Sequence, residues 1–110
     1  MEADLTNILL VLTSVGTRAD ADRLARAVVE QRLAACAHIE AIDSVYRWNG
    51  AVQQEPEFRL LFKTTPERSA PLQAALREHH PYELPAIVCL PAQASSEFAA
   101  WVAAESTAPQ

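Results

Sequence analysis

The chain is poor in glycine, cysteine and basic residues, and each shortage removes a class of function. Its two glycines, Gly16 and Gly50, are too few for a phosphate-binding loop or a dinucleotide-binding fingerprint. Its two cysteines, Cys36 and Cys89, are too few for a disulfide framework or for a zinc motif of paired cysteines. With nine basic against fourteen acidic side chains, a net charge of −5 and no basic stripe, nucleic acid is not an expected partner.

Long hydrophobic runs are also missing. The longest apolar run near the N-terminus covers residues 8–12, whereas a membrane-spanning helix needs about 20 apolar residues. The first four residues include Glu2 and Asp4, where a signal peptide needs positive charge. We therefore predict a cytoplasmic protein with no membrane partner, in a compartment where both cysteines stay reduced.

The strongest signal present is the pair Asn49-Gly50, flanked by apolar and aromatic runs over residues 39–65. Asn-Gly accepts positive φ at both central positions of a two-residue type I′ turn, so we predict one long β-hairpin. Because Ile42 breaks the alternation of apolar and polar residues, we also predict a β-bulge between Ala41 and Ser44. The two-residue turn implies these opposite pairs: Trp48 and Ala51, Arg47 and Val52, Tyr46 and Gln53, Ala41 and Phe58, Ile39 and Leu60.

The two faces of this hairpin differ in character. One is apolar and is expected to meet the core: Ile39, Ala41, Val45, Phe58, Leu60 and Phe62. The other is mixed: Tyr46, Trp48, Glu57, Arg59, Leu61 and Lys63. Arms this long extend beyond a small domain, so a neighbouring subunit is the simplest partner for them.

The rest of the chain divides into two further strands and three helices. Residues 7–13 carry apolar side chains at both odd and even positions, which predicts a central strand that is buried on both faces. Residues 17–35 have helical periodicity, with Thr17 and Asp20 forming a weak capping box. A second helix is predicted to start at Thr65, or at Ser69 because of Pro71, and to stop before Pro81.

The C-terminal third predicts a strand and a last helix. Residues 86–90 form a short apolar run closed by Pro91, which predicts a strand. Ser95 and Ser96 begin a third helix, with Phe98, Trp101 and Val102 directed inward. The order βαββαβ plus a helix predicts an α+β, ferredoxin-like sandwich in one domain over residues 1–110. We expect an ordered core over 6–104 and frayed ends at 1–5 and 106–110.

Four short blocks also resemble the CutA divalent-cation tolerance family, in the same order and spacing. They are LAAC at 33–36, YRWNG at 46–50, KTT at 63–65 and HPYELP at 80–85. The resemblance covers roughly residues 10–102 and implies a homotrimer similar in architecture to PII signal proteins, with long hairpins passing between subunits. It implies binding of copper or other divalent cations and no established catalytic reaction. Some family members carry a further cysteine where this chain has Thr13.

Four residues are candidate metal ligands. Cys36 and His38 lie on the same side of an extended strand, and a thiolate with an imidazole suits a soft ion or zinc. The alternative for Cys36 is a small buried core residue. His79 and His80 lie at a helix end, where capping is the alternative, and a metal there would need groups from another subunit.

A second set of residues suggests a ligand cleft. Aromatic rings with a few charges suit a small polar ligand held between subunits. The alternative is that Tyr46 and Trp48 are interface anchors, and that Glu57 and Lys63 form a buried ion pair. The candidate residues are Tyr46, Trp48, Glu57, Lys63 and Tyr82.

The function favoured at this point is a trimeric, copper-binding or divalent-cation-binding protein that contributes to metal-ion tolerance. It is not expected to be an enzyme, because no strained nucleophile turn surrounds Cys36, and no organic cofactor is indicated. The alternative is a PII-like binding and signalling trimer with a small polar or anionic ligand in an intersubunit cleft. A structural scaffold is the third possibility.

Overall fold

The computed structural model describes residues 4–108 as a four-stranded antiparallel sheet with three α-helices. The sheet order is β2-β3-β1-β4, so β1 is an interior strand, as predicted, while β2 and β4 form the edges. Among the described residues, no helix is both long and apolar enough to cross a membrane. The elements, in chain order, are β1 (Leu5–Val15), α1 (Arg18–Glu30), β2 (Cys36–Trp48), β3 (Ala51–Thr64), a short 3-10 turn (Pro66–Arg68), α2 (Ser69–His79), β4 (Val88–Ser95) and α3 (Ser96–Glu105).

The main core lies between one face of the sheet and the helices α1 and α2. From β1 it takes Leu9, Val11 and Val15, and from β3 it takes Leu60 and Phe62, which are fully buried. The alternate residues of β1 point to the opposite face, where Ile8 packs with α3 in a smaller cluster. The predicted α+β architecture with an additional C-terminal helix is therefore confirmed.

The inward face of α3 differs from the prediction. Val102 is fully buried and Ala99 nearly so, but Phe98 and Trp101 are 36% and 45% exposed. Their rings pack against each other, with centroids 5.6 Å apart. Ala99 and Val102 face the sheet instead, where they pack with Ile8.

The hairpin has the predicted pairing and turn. Asn49 and Gly50 have φ of 51° and 76°, as a type I′ turn requires. Every predicted opposite pair is present, and the register continues without a shift from Trp48 and Ala51 to Cys36 and Lys63. The predicted bulge between Ala41 and Ser44 is therefore wrong. Ile42 lies opposite Glu57 on the mixed face, where it is half-buried, so the strand has no need to turn it inward.

The distal half of the hairpin, residues 43–56, is called the arm below. β1 pairs with β3 only from Phe58 to Thr64, so the arm extends past the third strand as a two-stranded ribbon. Pro56 lies in the arm, where no third strand needs its missing N–H. Val45 and Val52 in the arm are 65% and 64% exposed. An isolated two-stranded ribbon is only marginally stable in water, and no third strand within residues 4–108 pairs with the arm.

Two element boundaries also differ from the predictions. α1 ends at Glu30 and not near Ala35, because Arg32 adopts a φ of 58° and the Leu33 N–H donates to the Val28 carbonyl. β4 begins at Val88 and continues through Pro91 to Ser95. Pro91 does not end it, because β4 is an edge strand and pairs only with β1.

Both ends of the described chain contact the rest of the fold. Leu5 already lies in β1, and Ser106 is almost fully buried, its hydroxyl donating to the Val102 carbonyl. The Arg32 guanidinium donates to the carbonyls of Ala104 and Thr107, which fixes the end of α3. Residues 1–3 and 109–110 of the predicted frayed ends lie outside the described residues.

Candidate functional site

A groove of about 920 Å³ lies between the arm and the segment 81–86 that follows α2. It is called the aromatic groove below, because the rings of Tyr46, Trp48 and Tyr82 line it and are each between 38% and 49% exposed. β2 and β3 form one wall, and the loop after α2 forms the other. The remaining lining residues are Ser14, Ile42, Asp43, Ser44, Val45, Glu55, Glu57, Arg59, Pro81, Glu83, Leu84 and Ala86.

Two tyrosine–glutamate pairs lie side by side in the aromatic groove. The Tyr82 hydroxyl donates to Glu57 Oε2 at 2.7 Å, and the Tyr46 hydroxyl donates to Glu55 Oε2 at 3.0 Å. Burial, followed by the bond to Glu57, raises the pKa of Tyr82, and the bond to Glu55 raises that of Tyr46. Both hydroxyls therefore keep their protons and remain donors, and each carboxylate keeps its Oε1 atom free of these bonds.

His80 fixes the start of the loop that carries Tyr82. Its Nδ1 accepts the Tyr82 N–H at 3.0 Å, so the proton of the neutral ring is on Nε2. Nε2 lies 3.0 Å from both the Ser14 carbonyl and Thr13 Oγ1, near the C-terminal end of strand β1. Burial lowers the pKa of His80 and outweighs the opposite effect of the Ser14 carbonyl. The buried ring is therefore neutral, and both its nitrogens have protein partners.

Gly16 is needed where Tyr82 approaches the end of β1. A Cβ atom at this position would lie 3.2 Å from the Tyr82 hydroxyl oxygen, closer than ordinary van der Waals contact. The absence of a side chain therefore gives the Tyr82 ring its place beside Glu57. Gly16, one of the two glycines, therefore lies next to Tyr82 of the HPYELP block at residues 80–85.

The structure divides the four candidate metal ligands between two places. Cys36 and His38 lie on one face of β2, opposite Lys63 and Leu61 of β3. His80 contacts the far end of β1, and the His79 carbonyl accepts from Arg23 Nη2 at the end of α2. Within residues 4–108, no group of three or more His, Cys, Asp or Glu side chains converges as a metal site. Residues 4–108 of one chain therefore supply at most a pair of ligands at either place.

The Cys36 thiol is half-buried and has Lys63 as its cross-strand neighbour. Burial raises the pKa of Cys36, and the Lys63 charge acts in the opposite direction. The residue types suit a soft or borderline cation such as copper, since the metal itself displaces the thiol proton on binding. The described part of the chain brings no third donor to Cys36 and His38.

The predicted cleft residues are brought together with one exception. Tyr46, Trp48, Glu57 and Tyr82 line the aromatic groove. Lys63 lies elsewhere, with its ammonium 5.2 Å from the centre of the Phe98 ring, so it forms no ion pair with Glu57. Glu55 joins the set, and its spacing of two residues from Glu57 on one strand is the signal that could have indicated it.

An uncovered apolar surface continues from the groove across the sheet. Leu12 and Leu61 are cross-strand neighbours on this surface, and Val88 and Leu90 of β4 are 50% and 46% exposed. These four residues are called the open face below. α3 covers the end of the sheet around Ile8, and no other element within residues 4–108 covers the open face.

We expect His80 to make stability fall on acidification. An unfolded imidazole titrates near pH 6.5, while His80 in the fold has a lower pKa, so the unfolded chain takes up a proton first. The stability that neutral His80 contributes is fully present above the pKa of the unfolded imidazole. It is lost as the pH falls from that value through the lower pKa of folded His80. Urea unfolding at about pH 7.5 and about pH 5.5 measures the loss, at one fixed protein concentration.

The variant His80→Gln is expected to lose less stability between these two pH values than the wild type. His38→Gln is the matched control, because His38 is exposed on β2. An identical pH dependence of wild type and His80→Gln would show that another group causes the loss.

Comparison with known proteins gives one consistent match. Residues 9–105 match the family model described as CutA1 divalent ion tolerance protein. A divalent-cation tolerance protein CutA from Thermus thermophilus is 40% identical over 95 residues, which cover 84% of this chain and 92% of that protein. The solved structure of CutA from Synechococcus elongatus has a TM-score of 0.90 at 39% identity, covering 94% of this chain and 96% of that chain. A CutA from Archaeoglobus fulgidus, named as a periplasmic divalent cation tolerance protein, has a TM-score of 0.88 at 27% identity, covering 91% and 99%.

Proposed function

This chain belongs to the CutA1 divalent ion tolerance family, and we propose that it is a homotrimer that binds divalent cations, copper among them, and contributes to metal-ion tolerance. The observation that carries the proposal is the family match over residues 9–105. Its relatives are named for divalent-cation tolerance and not for a reaction, which supports a binding protein over an enzyme.

Two features of the single chain support assembly with further copies. The open face has exposed Val88 and Leu90 on β4 beside half-buried Leu12 and Leu61, and the arm exposes Val45 and Val52. Burying both would supply the contacts that each lacks, because apolar area removed from water stabilises an assembly. Closed cyclic symmetry lets every chain give its arm to one neighbour and receive an arm from the other.

The donor set supports a cation site that is completed on assembly. Cys36 and His38 belong to the same side of the sheet as Leu61 of the open face, so a copy covering that face would approach them. A pair of ligands binds a metal weakly, and a second chain can add the remaining one or two donors. The thiolate and imidazole favour copper or zinc over magnesium or calcium.

We also propose a cytoplasmic location. Both cysteines are free thiols, which suits a reducing compartment. The Archaeoglobus fulgidus relative is named as periplasmic, so fractionation of cells producing the tagged chain is the direct test. Recovery in the periplasmic fraction would contradict the proposal.

Copper titration of two cysteine variants tests the cation site. Cys36→Ser removes the thiolate ligand, so we expect copper affinity to fall by at least about tenfold. Cys89→Ser is the matched control, because Cys89 is also a half-buried free thiol and lies on β4, away from His38. Competition with a chromogenic copper chelator measures the affinity of each purified variant.

Equal copper affinity of the wild type and Cys36→Ser would assign Cys36 to the core. Replacing His79 and His80 by Ala, one at a time, would then test the other proposed pair at a pH above the histidine pKa. Copper binding that survives all three substitutions would contradict Cys36, His79 and His80 as ligands.

A further inference from the structure

The aromatic groove carries a strong excess of negative charge. Four of its lining residues are acidic, Asp43, Glu55, Glu57 and Glu83, and Arg59 is the single basic one. Arg59 donates through Nε and Nη2 to Glu40 Oε1, at 2.9 and 2.7 Å, so its charge is already paired. None of the four acidic lining residues forms an ion pair within residues 4–108. An anionic ligand would therefore meet repulsion in this groove.

Glu57 is the central group of this surface. Glu57 is only 9% exposed, which is unusual for an ionisable residue with no cationic partner. Tyr82 occupies Oε2, and no side-chain or backbone donor of the described chain bonds to Oε1. Oε1 is not sealed from solvent either, so it is a fixed acceptor open to the groove.

Glu55 repeats this arrangement two residues away. Its Oε2 accepts from Tyr46, and successive residues on one face of a strand are separated by about 7 Å. Each carboxylate is therefore held through one oxygen by a tyrosine hydroxyl. Neither carboxylate belongs to a group of three or more metal-ligating side chains among residues 4–108.

We propose that the aromatic groove binds a small organic cation, a protonated amine. Its ammonium group donates to the free oxygens of Glu57 and Glu55, while its carbon atoms lie against the exposed rings of Tyr46 and Trp48. Aromatic faces attract alkylammonium groups through their quadrupole, and carboxylates pair with them through charge-assisted hydrogen bonds. This inference is independent of the proposed metal site, since it uses neither Cys36 nor His38.

Three four-carbon compounds whose end groups differ in charge test the proposal. Putrescine has two ammonium groups, 1,4-butanediol is neutral and succinate has two carboxylates. Isothermal titration calorimetry of the purified, chelator-treated wild-type oligomer in phosphate buffer compares them without any competing amine or metal. We expect putrescine to bind at least about tenfold more tightly than butanediol, and succinate to give no binding signal.

Charge-matched variants then locate the binding site. In Glu55→Gln with Glu57→Gln, the amide oxygens can still accept from both tyrosines, but the two negative charges are lost. Putrescine affinity is expected to fall by at least about tenfold. The control is Glu67→Gln with Glu78→Gln, which changes the net charge equally at two exposed positions outside the groove. The thermal unfolding midpoint of each variant is measured in parallel.

Several outcomes would overturn the proposal. Putrescine and butanediol could bind equally, the control pair could weaken binding as much as the groove pair, or succinate could bind best. Absence of putrescine binding to the wild type would equally overturn it and would favour a second copy of the chain as the occupant of the groove. If the groove pair fails to fold, the comparison of the three compounds on the wild type still decides.

Discussion

The Leu90→Asp variant is expected to remain folded but to lose its assembly. Leu90 is 46% exposed on the edge strand β4, so an aspartate there is well solvated in a single chain. In an oligomer that covers the open face, the same carboxylate would be buried without a partner, which costs several kcal/mol per chain. Light scattering is expected to give about three times 12.1 kDa for the wild type and 12.1 kDa for the variant.

Val29→Asp is the control for this experiment. Val29 is 36% exposed on α1, which lies on the other side of the sheet from the open face. The same change there adds the same charge and should leave the mass of the assembly unaltered. An unchanged mass for Leu90→Asp would show that the open face is not the interface.

Shortening the arm is expected to have an effect of similar size. Deleting residues 45–48 and 51–54 removes four residues from each strand and keeps the Asn49-Gly50 turn and the pattern of pairing. The deleted residues lie beyond the part of β3 that pairs with β1, and most of them are exposed. The core should therefore persist, while the assembly should dissociate at micromolar concentration.

The rate of subunit exchange gives a second measure of the arm. If arms are interlocked, dissociation requires partial unfolding, so tagged and untagged wild-type oligomers should exchange slowly. Mixed species are counted by affinity capture after timed mixing. Exchange within seconds, or a shortened variant that keeps the full mass, would show that the arm does not hold the assembly together.

The hairpin could be predicted residue by residue because local chemistry determines it. Asn49 and Gly50 fix the turn type, and a two-residue turn fixes every later pair by counting. The absence of a bulge at Ile42 could not be predicted from local chemistry. An apolar residue out of alternation indicates a bulge only if its face is polar, and here that face forms the wall of a groove.

The ends of the elements depended on their neighbours in the sheet. A proline would end an interior strand, but an edge strand such as β4 tolerates Pro91. The edge position of β4 follows from its pairing with β1, about 80 residues earlier in the chain. The end of α1 at Glu30 depends on Arg32 adopting positive φ, which residue type alone does not indicate.

The candidate site was only partly accessible from sequence for the same reason. The spacing along β2, together with the register of the two-residue turn, put Tyr46 and Trp48 on the same face as Glu57 of β3, and the structure agrees. The partner of His80 was not predictable, because Thr13 is 67 residues away from it. Lys63 was grouped with Glu57 by face alone, but the two lie six residues apart on β3, and Lys63 reaches Phe98 instead.

Native mass spectrometry of the chain loaded with copper tests the central proposal most directly, since it reports assembly and bound metal together. The wild type is predicted to appear as three chains that retain copper, and Leu90→Asp as one chain that retains none. A wild-type monomer, a trimer without copper, or a monomeric variant with as much copper per chain as the wild type would contradict a cation site completed by assembly.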